Sequence, residues 1–162
     1  MFSLEIVTLA RLLVDEARER SLRIVTAESC TGGLVAGAIC QVSGASDVFE
    51  RGFVTYSNRA KQELLGVPGD LIADLGAVSE PVARMMAEGA LENSNAHVAV
   101  AVTGVAGPGG TPMKPVGTVH IATARSNQAL MHREEFFEEE TREAIQLAAV
   151  QSALQALRDR VA

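Results

Sequence analysis

The run His97 to Thr103, HVAVAVT, constrains the fold of this chain more than any other segment. A strand so continuously apolar has no face for water, so helices must cover the sheet that contains it on both sides. A second run, Arg23 to Ala27 (RIVTA), is rich in β-branched residues and reads as another strand. Both break abruptly into glycine-rich turns: Ser29-Cys30-Thr31-Gly32-Gly33 shortly after RIVTA, and Gly104 to Gly110 after HVAVAVT. Ligands collect in the crevice beyond the strand ends of a helix-flanked sheet, and the two turns are expected to share one such crevice.

The remaining periodicity alternates in the same way. Apolar residues at three- and four-residue spacing predict helices over 3–20 and 141–161, and the small apolar stretch Leu34 to Val42 predicts a buried helix after the first glycine turn. Ser57 is a good N-cap for a helix stopped by Gly66. A short helix is expected to end at Leu75, and Pro81 opens a longer one that ends near Asn93. Phe49 to Tyr56, Gly117 to Ala124 and Ala129 to Phe137 read as strands, the last two joined in a hairpin at Arg125 to Gln128. With no repeat, linker or low-complexity tract, residues 1–162 are expected to form one α/β domain.

Composition excludes several function classes. A chain of 162 residues buries roughly 70% of the surface it exposes unfolded, so it needs no staple of metal or disulfide. Its two cysteines, Cys30 and Cys40, form no CxxC pair and no disulfide framework. They read as reduced thiols of a cytoplasmic protein. The charged residues from Glu5 to Glu19 exclude a signal peptide, and Val98 to Val102, the most apolar stretch, falls well short of the roughly 20 residues of a membrane span. Fourteen basic against 20 acidic residues, a net charge of −6, argue against a nucleic-acid-coating surface.

The chemistry open to the crevice is narrow. His97, His120 and His132 stand at no metal-ligand spacing, so no metal is expected, and no GxSxG signpost of a Ser-His-Asp triad is present. His120 reads as a strand histidine rather than a base. A serine with a lysine or tyrosine helper is the simplest nucleophilic arrangement left, and Ser29 is the best-placed serine. The helpers are Tyr56, the single tyrosine, and Lys61; Lys114 is the other lysine near a glycine turn. Cys30 is the rival nucleophile, although neighbouring residues point in different directions and only one of the two can face the crevice. Amides at the glycine turn, at a helix N-terminus, suit an anion or oxyanion. Neither turn has Walker or GxGxxG spacing.

Five ordered motifs carry a family resemblance: AESCTGG (27–33), FERGFVTYSNRAKQELLGV (49–67), GAVSEPVA (76–83), VAVTGVAGPGG (100–110) and KPVGTVHIA (114–122). In order and spacing they resemble the C-terminal domain of the competence/damage-inducible CinA proteins, the nicotinamide-nucleotide amidase family, over nearly the whole chain. The resemblance implies a three-layer α/β/α sandwich around a mixed sheet of about five strands, a tendency to dimerise, and no cofactor. It implies deamidation of nicotinamide mononucleotide to nicotinate mononucleotide and ammonia, in pyridine-nucleotide salvage. By motif, Ser29 is the nucleophile, with Tyr56 and Lys61 assisting. Thr31, Gly32, Gly33 and Asn58 are expected to bind substrate, with Gly32 and Gly33 at the oxyanion. Thr103, Gly104, Gly107, Gly109 and Gly110, with Lys114, are expected at the ribose phosphate. The chain is expected to lack the separate N-terminal domain that longer family members carry. It departs from the family in a loop, GPGGTPMKP, about one residue shorter, and in Glu139-Glu140-Thr141-Arg142 where Gly-Asp-Arg is usual. There Arg142 is expected to keep a structural role and the glutamates to form a solvated helix start. The alternatives are a silent nucleotide- or partner-binding domain on the same scaffold, and a hydrolase of another small carboxamide.

Overall fold

A computed structural model describes all 162 residues. Five strands form one mixed sheet: β1 (Ile24–Glu28), β2 (Phe49–Val54), β3 (Val98–Gly104), β4 (Thr118–Arg125) and β5 (Met131–Phe136), in the spatial order β2-β1-β3-β4-β5. β1 runs parallel to both β2 and β3, while β4 and β5 continue the sheet antiparallel. Six helices cover it: α1 (Leu4–Glu19), α2 (Leu34–Cys40), α3 (Asn58–Leu65), α4 (Gly69–Leu75), α5 (Glu80–Glu92) and α6 (Arg142–Val161). The three-layer α/β/α architecture is as the resemblance implied, and a 3₁₀ turn at Ala45–Asp47 escaped the sequence reading.

Strand alternation explains the layers. Val98, Val100 and Val102 of β3 face α1, α2 and α6, while Ala99 and Ala101 face α5. Valines fill the wider layer. The alanine face lets α5 lie close to the sheet, and α5 answers with its own small residues, Ala83, Ala87 and Ala90. All seven residues of β3 except the terminal Gly104 are buried, the double coverage that HVAVAVT demanded.

The carboxyl ends of β1 and β3 lie side by side. Ser29 N–H donates to the Val102 carbonyl at 2.9 Å, carrying the β1–β3 pairing one residue past the strand. Beyond β2, Thr55 N–H donates to the Glu28 carbonyl at 2.9 Å. Three chain segments are thereby fixed around one strand end. No helix is long and apolar enough to cross a membrane.

Candidate active site

Ser57 starts α3 by accepting the Ala60 amide at 3.0 Å, and the first turn of that helix turns Lys61 inward. Lys61 is 1% exposed. Its Nζ lies 3.0 Å from Ser29 Oγ, 2.8 Å from the Thr55 carbonyl and 3.3 Å from the Tyr56 carbonyl. Burial pushes the Lys61 amine below its ordinary 10.5, the direction that favours the neutral form. A neutral amine has two N–H donors and one lone pair. In that form the Thr55 and Tyr56 carbonyls, the nearest two of three around Nζ, can take the donors and leave the lone pair facing the Ser29 hydroxyl.

Ser29 and Lys61 open onto a cleft of about 260 Å³ at the carboxyl ends of β1 and β3. Tyr56, Asn58, Thr103, Gly104, Gly107 and Gly109 line the same cleft. The two glycine turns thus contribute to one crevice, although not through all the residues expected of them. Thr31, Gly32, Gly33, Gly110 and Lys114 lie outside its lining. Lys114 instead donates to the Leu75 carbonyl at 2.5 Å. Thr103 Oγ1 donates to the Ala77 carbonyl at 2.9 Å, fastening β3 to the segment between α4 and α5.

The anion expected at the start of α2 is the protein's own. Glu28, fully buried, accepts Val35 N–H at 2.8 Å on Oε1 and Ala36 N–H at 3.0 Å on Oε2, and Thr31 Oγ1 donates to Oε1 at 2.7 Å. Gly32 N–H is spent on the Ser29 carbonyl at 3.0 Å. Consecutive left-handed conformations at Gly32 (φ 56°) and Gly33 (φ 100°) let the chain turn tightly from strand into helix. The glycines of this turn serve geometry, and the helix dipole serves Glu28. In the cleft itself, the amides of Ala106 and Gly107 donate to no protein acceptor, while that of Cys30 faces its own sulfur.

Two residues take parts the motifs did not assign. Arg142, at the first position of α6, enters the cleft lining; its Nη2 donates to the Tyr56 hydroxyl at 2.6 Å and its Nη1 to the Gly107 carbonyl. The Tyr56 phenol is therefore engaged with Arg142, and Tyr56 touches Lys61 only through its carbonyl. Glu138, Glu139 and Glu140 are exposed and outside the cleft lining. Cys30 is buried, and its thiol is pushed up to about 12 by that burial, so little thiolate is present near neutrality. His120 sits in a second cluster, with Nδ1 2.9 Å from His132 Nε2 and the rings stacked. A larger groove of about 460 Å³ beside α1 is lined by Val7, Arg11, Gln41 and Ser43 among others, with no lysine or histidine beside its serine.

The match to a family model, CinA C-terminal domain, covers residues 6–161. A CinA-like protein of Akkermansia muciniphila is 59% identical over 118 residues, 72% of this chain and 28% of its own length. A CinA-like protein of Syntrophobacter fumaroxidans is 46% identical over 147 residues, 90% of this chain and 34% of its own. The chain thus spans about a third or less of the length of these curated relatives. The crystal structure of competence/damage inducible protein CihA from Agrobacterium tumefaciens superposes with a TM-score of 0.96 at 47% identity, covering 98% of this chain and 97% of that one. A competence-damaged protein superfamily structure from Escherichia coli gives 0.90 at 36% identity, over 96% and 90%.

Proposed function

The chain belongs to the CinA C-terminal domain family, and from that premise we propose that it is a serine–lysine amidohydrolase that deamidates nicotinamide mononucleotide to the nicotinate mononucleotide and ammonia. One observation carries the reading: the buried Lys61 amine lies 3.0 Å from Ser29 Oγ with carbonyls taking its other donors. That is the arrangement of a base and the nucleophile it activates.

Ser29 Oγ attacks the carboxamide carbon while its proton passes directly to Lys61 Nζ. The developing oxyanion meets the free amides of Ala106 and Gly107 within the cleft lining, in place of Gly32 and Gly33. Lys61 returns the proton to the amide nitrogen, the C–N bond breaks, and ammonia leaves an ester on Ser29. A water that gives its proton to Lys61 then cleaves the ester, and Ser29 recovers its hydrogen. No step routes a proton through the Tyr56 phenol, which pairs with Arg142. Arg142 is the one permanently charged side chain in the cleft lining, Lys61 being neutral when it acts as the base, which supports a substrate bearing phosphate, with Arg142 as its partner.

Ser29→Ala and Lys61→Ala are each expected to lower ammonia release from nicotinamide mononucleotide by at least about 1,000-fold, as removal of one member of a catalytic pair does elsewhere. Near wild-type rates in either variant overturn the assignment. Measured against a panel of other carboxamides, a clear preference for the mononucleotide is expected.

A further inference from the structure

We infer that Glu28 is a positioning residue whose buried carboxyl, clamped by Thr31, holds Ser29 against Lys61. The inference rests on the reading above, in which Ser29 and Lys61 are the reacting pair. Burying an acid is costly unless it is well hydrogen-bonded, and an exposed Ser or Asn could cap a helix without that cost. Here the cap is instead a fully buried glutamate immediately before the nucleophile.

Residue 28 is the junction of the pair. Its carboxyl accepts from Val35, Ala36 and Thr31, and so fixes the far side of the turn in which Ser29 lies. Its carbonyl accepts Thr55 N–H, and the Thr55 carbonyl in turn accepts Lys61 Nζ at 2.8 Å. Nucleophile and base therefore hang from the same residue, one by a covalent bond and the other through the single residue Thr55. Thr31 bridges back across the turn to Oε1 at 2.7 Å, while Gly32 N–H closes the turn onto the Ser29 carbonyl. Releasing the carboxyl frees the Ser29 backbone to rotate its hydroxyl away from Lys61. Thr31 and the α2 N-terminus then belong to the support of the nucleophile, and substrate anions are left to the other side of the cleft.

The test labels Ser29 with a fluorophosphonate, whose rate reads the nucleophile without reference to any carboxamide, beside kcat and KM for ammonia release and a thermal melt. Glu28→Gln turns an acceptor into an amide that cannot accept from Ala36, and Thr31→Val deletes the clamp. Both are expected to cut the labelling rate and kcat by about 10- to 100-fold, the penalty of a misplaced reacting group, with KM within about threefold. Thr31→Ser is expected to restore most of the loss, and the acid limb of the pH profile is expected at the same pH in the folded Thr31 variants, which change no charge. Wild-type labelling in folded Glu28→Gln and Thr31→Val, a loss that merely follows the unfolded fraction, or Thr31→Ser as slow as Thr31→Val overturns the proposal. Should Glu28→Gln not fold, the two Thr31 variants decide the question alone. A wild-type protein that labels but releases no ammonia from nicotinamide mononucleotide overturns the substrate reading and leaves this one standing. One that takes no label overturns both.

Discussion

In the proposed reaction Lys61 has two jobs that pull its proton in opposite directions, and burial decides between them. As a base it must be neutral before Ser29 reacts, and burial lowers its affinity for the proton. kcat/KM is therefore expected to rise with pH as free enzyme loses the Lys61 proton, with a midpoint below the ordinary 10.5. Lys61→Arg keeps the charge but cannot give up a proton, so it is expected to lose at least about 1,000-fold in kcat and to abolish that limb. A pH profile of the two proteins checks this, and an unchanged limb in Lys61→Arg assigns the titration elsewhere. The meeting of Ser29 and Lys61 in one cleft was legible in the sequence, because a turn after a strand and a capped helix leave few places for a polar side chain to go. Glu28 was not, since a single acid at a strand end reads as a surface residue until the amides it fills are seen. For the same reason Thr31, Gly32 and Gly33 read as ligand donors: sequence shows an open helix N-terminus, and only three dimensions show that it is already occupied.

Two helical glycines of the same residue type carry opposite predictions. Gly37 lies inside α2, where an added Cβ would meet Phe2 at 3.9 Å, an ordinary contact. Gly37→Ala is expected to stabilise by about 0.5–1 kcal/mol from helix propensity. Gly89 lies inside α5 where the helix crosses the end of α3, and its Cβ would overlap the Leu65 carbonyl oxygen. A backbone carbonyl cannot swing aside as a side chain can. The propensity gain of about 1 kcal/mol is then outweighed by separating packed elements at about 1–3 kcal/mol or more, and Gly89→Ala is expected to lower Tm. Thermal melts of the two variants should move in opposite directions. Between strands, the His120–His132 pair links β4 to β5, with Glu80 Oε1 3.5 Å from His132 and Glu134 Oε1 3.8 Å from His120. Burial holds both imidazoles below the ordinary 6.5, so the folded state favours them neutral. The unfolded chain binds their protons first as pH falls, so this part of the stability is complete above about 6.5 and declines below it. Replacing both by Gln should flatten Tm between pH 7.5 and 5.5; an equally steep decline places the sensitivity in other groups. The elements themselves were legible almost end to end, because caps, glycine stops and apolar period agree. The histidine pair was not, because it depends on the register that sets Ala122 opposite His132 and brings His120 within reach.

At the scale of the molecule, the charge of the chain opposes the charge of its cleft. The net charge is −6, yet no carboxylate lines the site and Arg142 is the one permanent charge in its lining. For a ligand with one negative charge at about 20 Å, each unit charge contributes about 0.2 kcal/mol in water, so the six together contribute about 1 kcal/mol against binding. As the proposed phosphate partner, Arg142 would act at contact distance, and it is held in place by the Tyr56 hydroxyl and the Gly107 carbonyl. Salt separates the two effects, because the screening length shrinks to about 8 Å at 0.15 M and removes distant repulsion before it weakens contacts. KM for the mononucleotide is therefore expected to fall by about two- to fivefold as ionic strength rises from about 0.01 to 0.15 M, the converse of a basic, nucleic-acid-type surface. Arg142→Ala should raise KM at both salt concentrations while keeping the same direction of change, since it removes the contact and leaves the acidic surface. A KM that climbs with salt in the wild-type protein would place the phosphate on exposed cations outside this cleft.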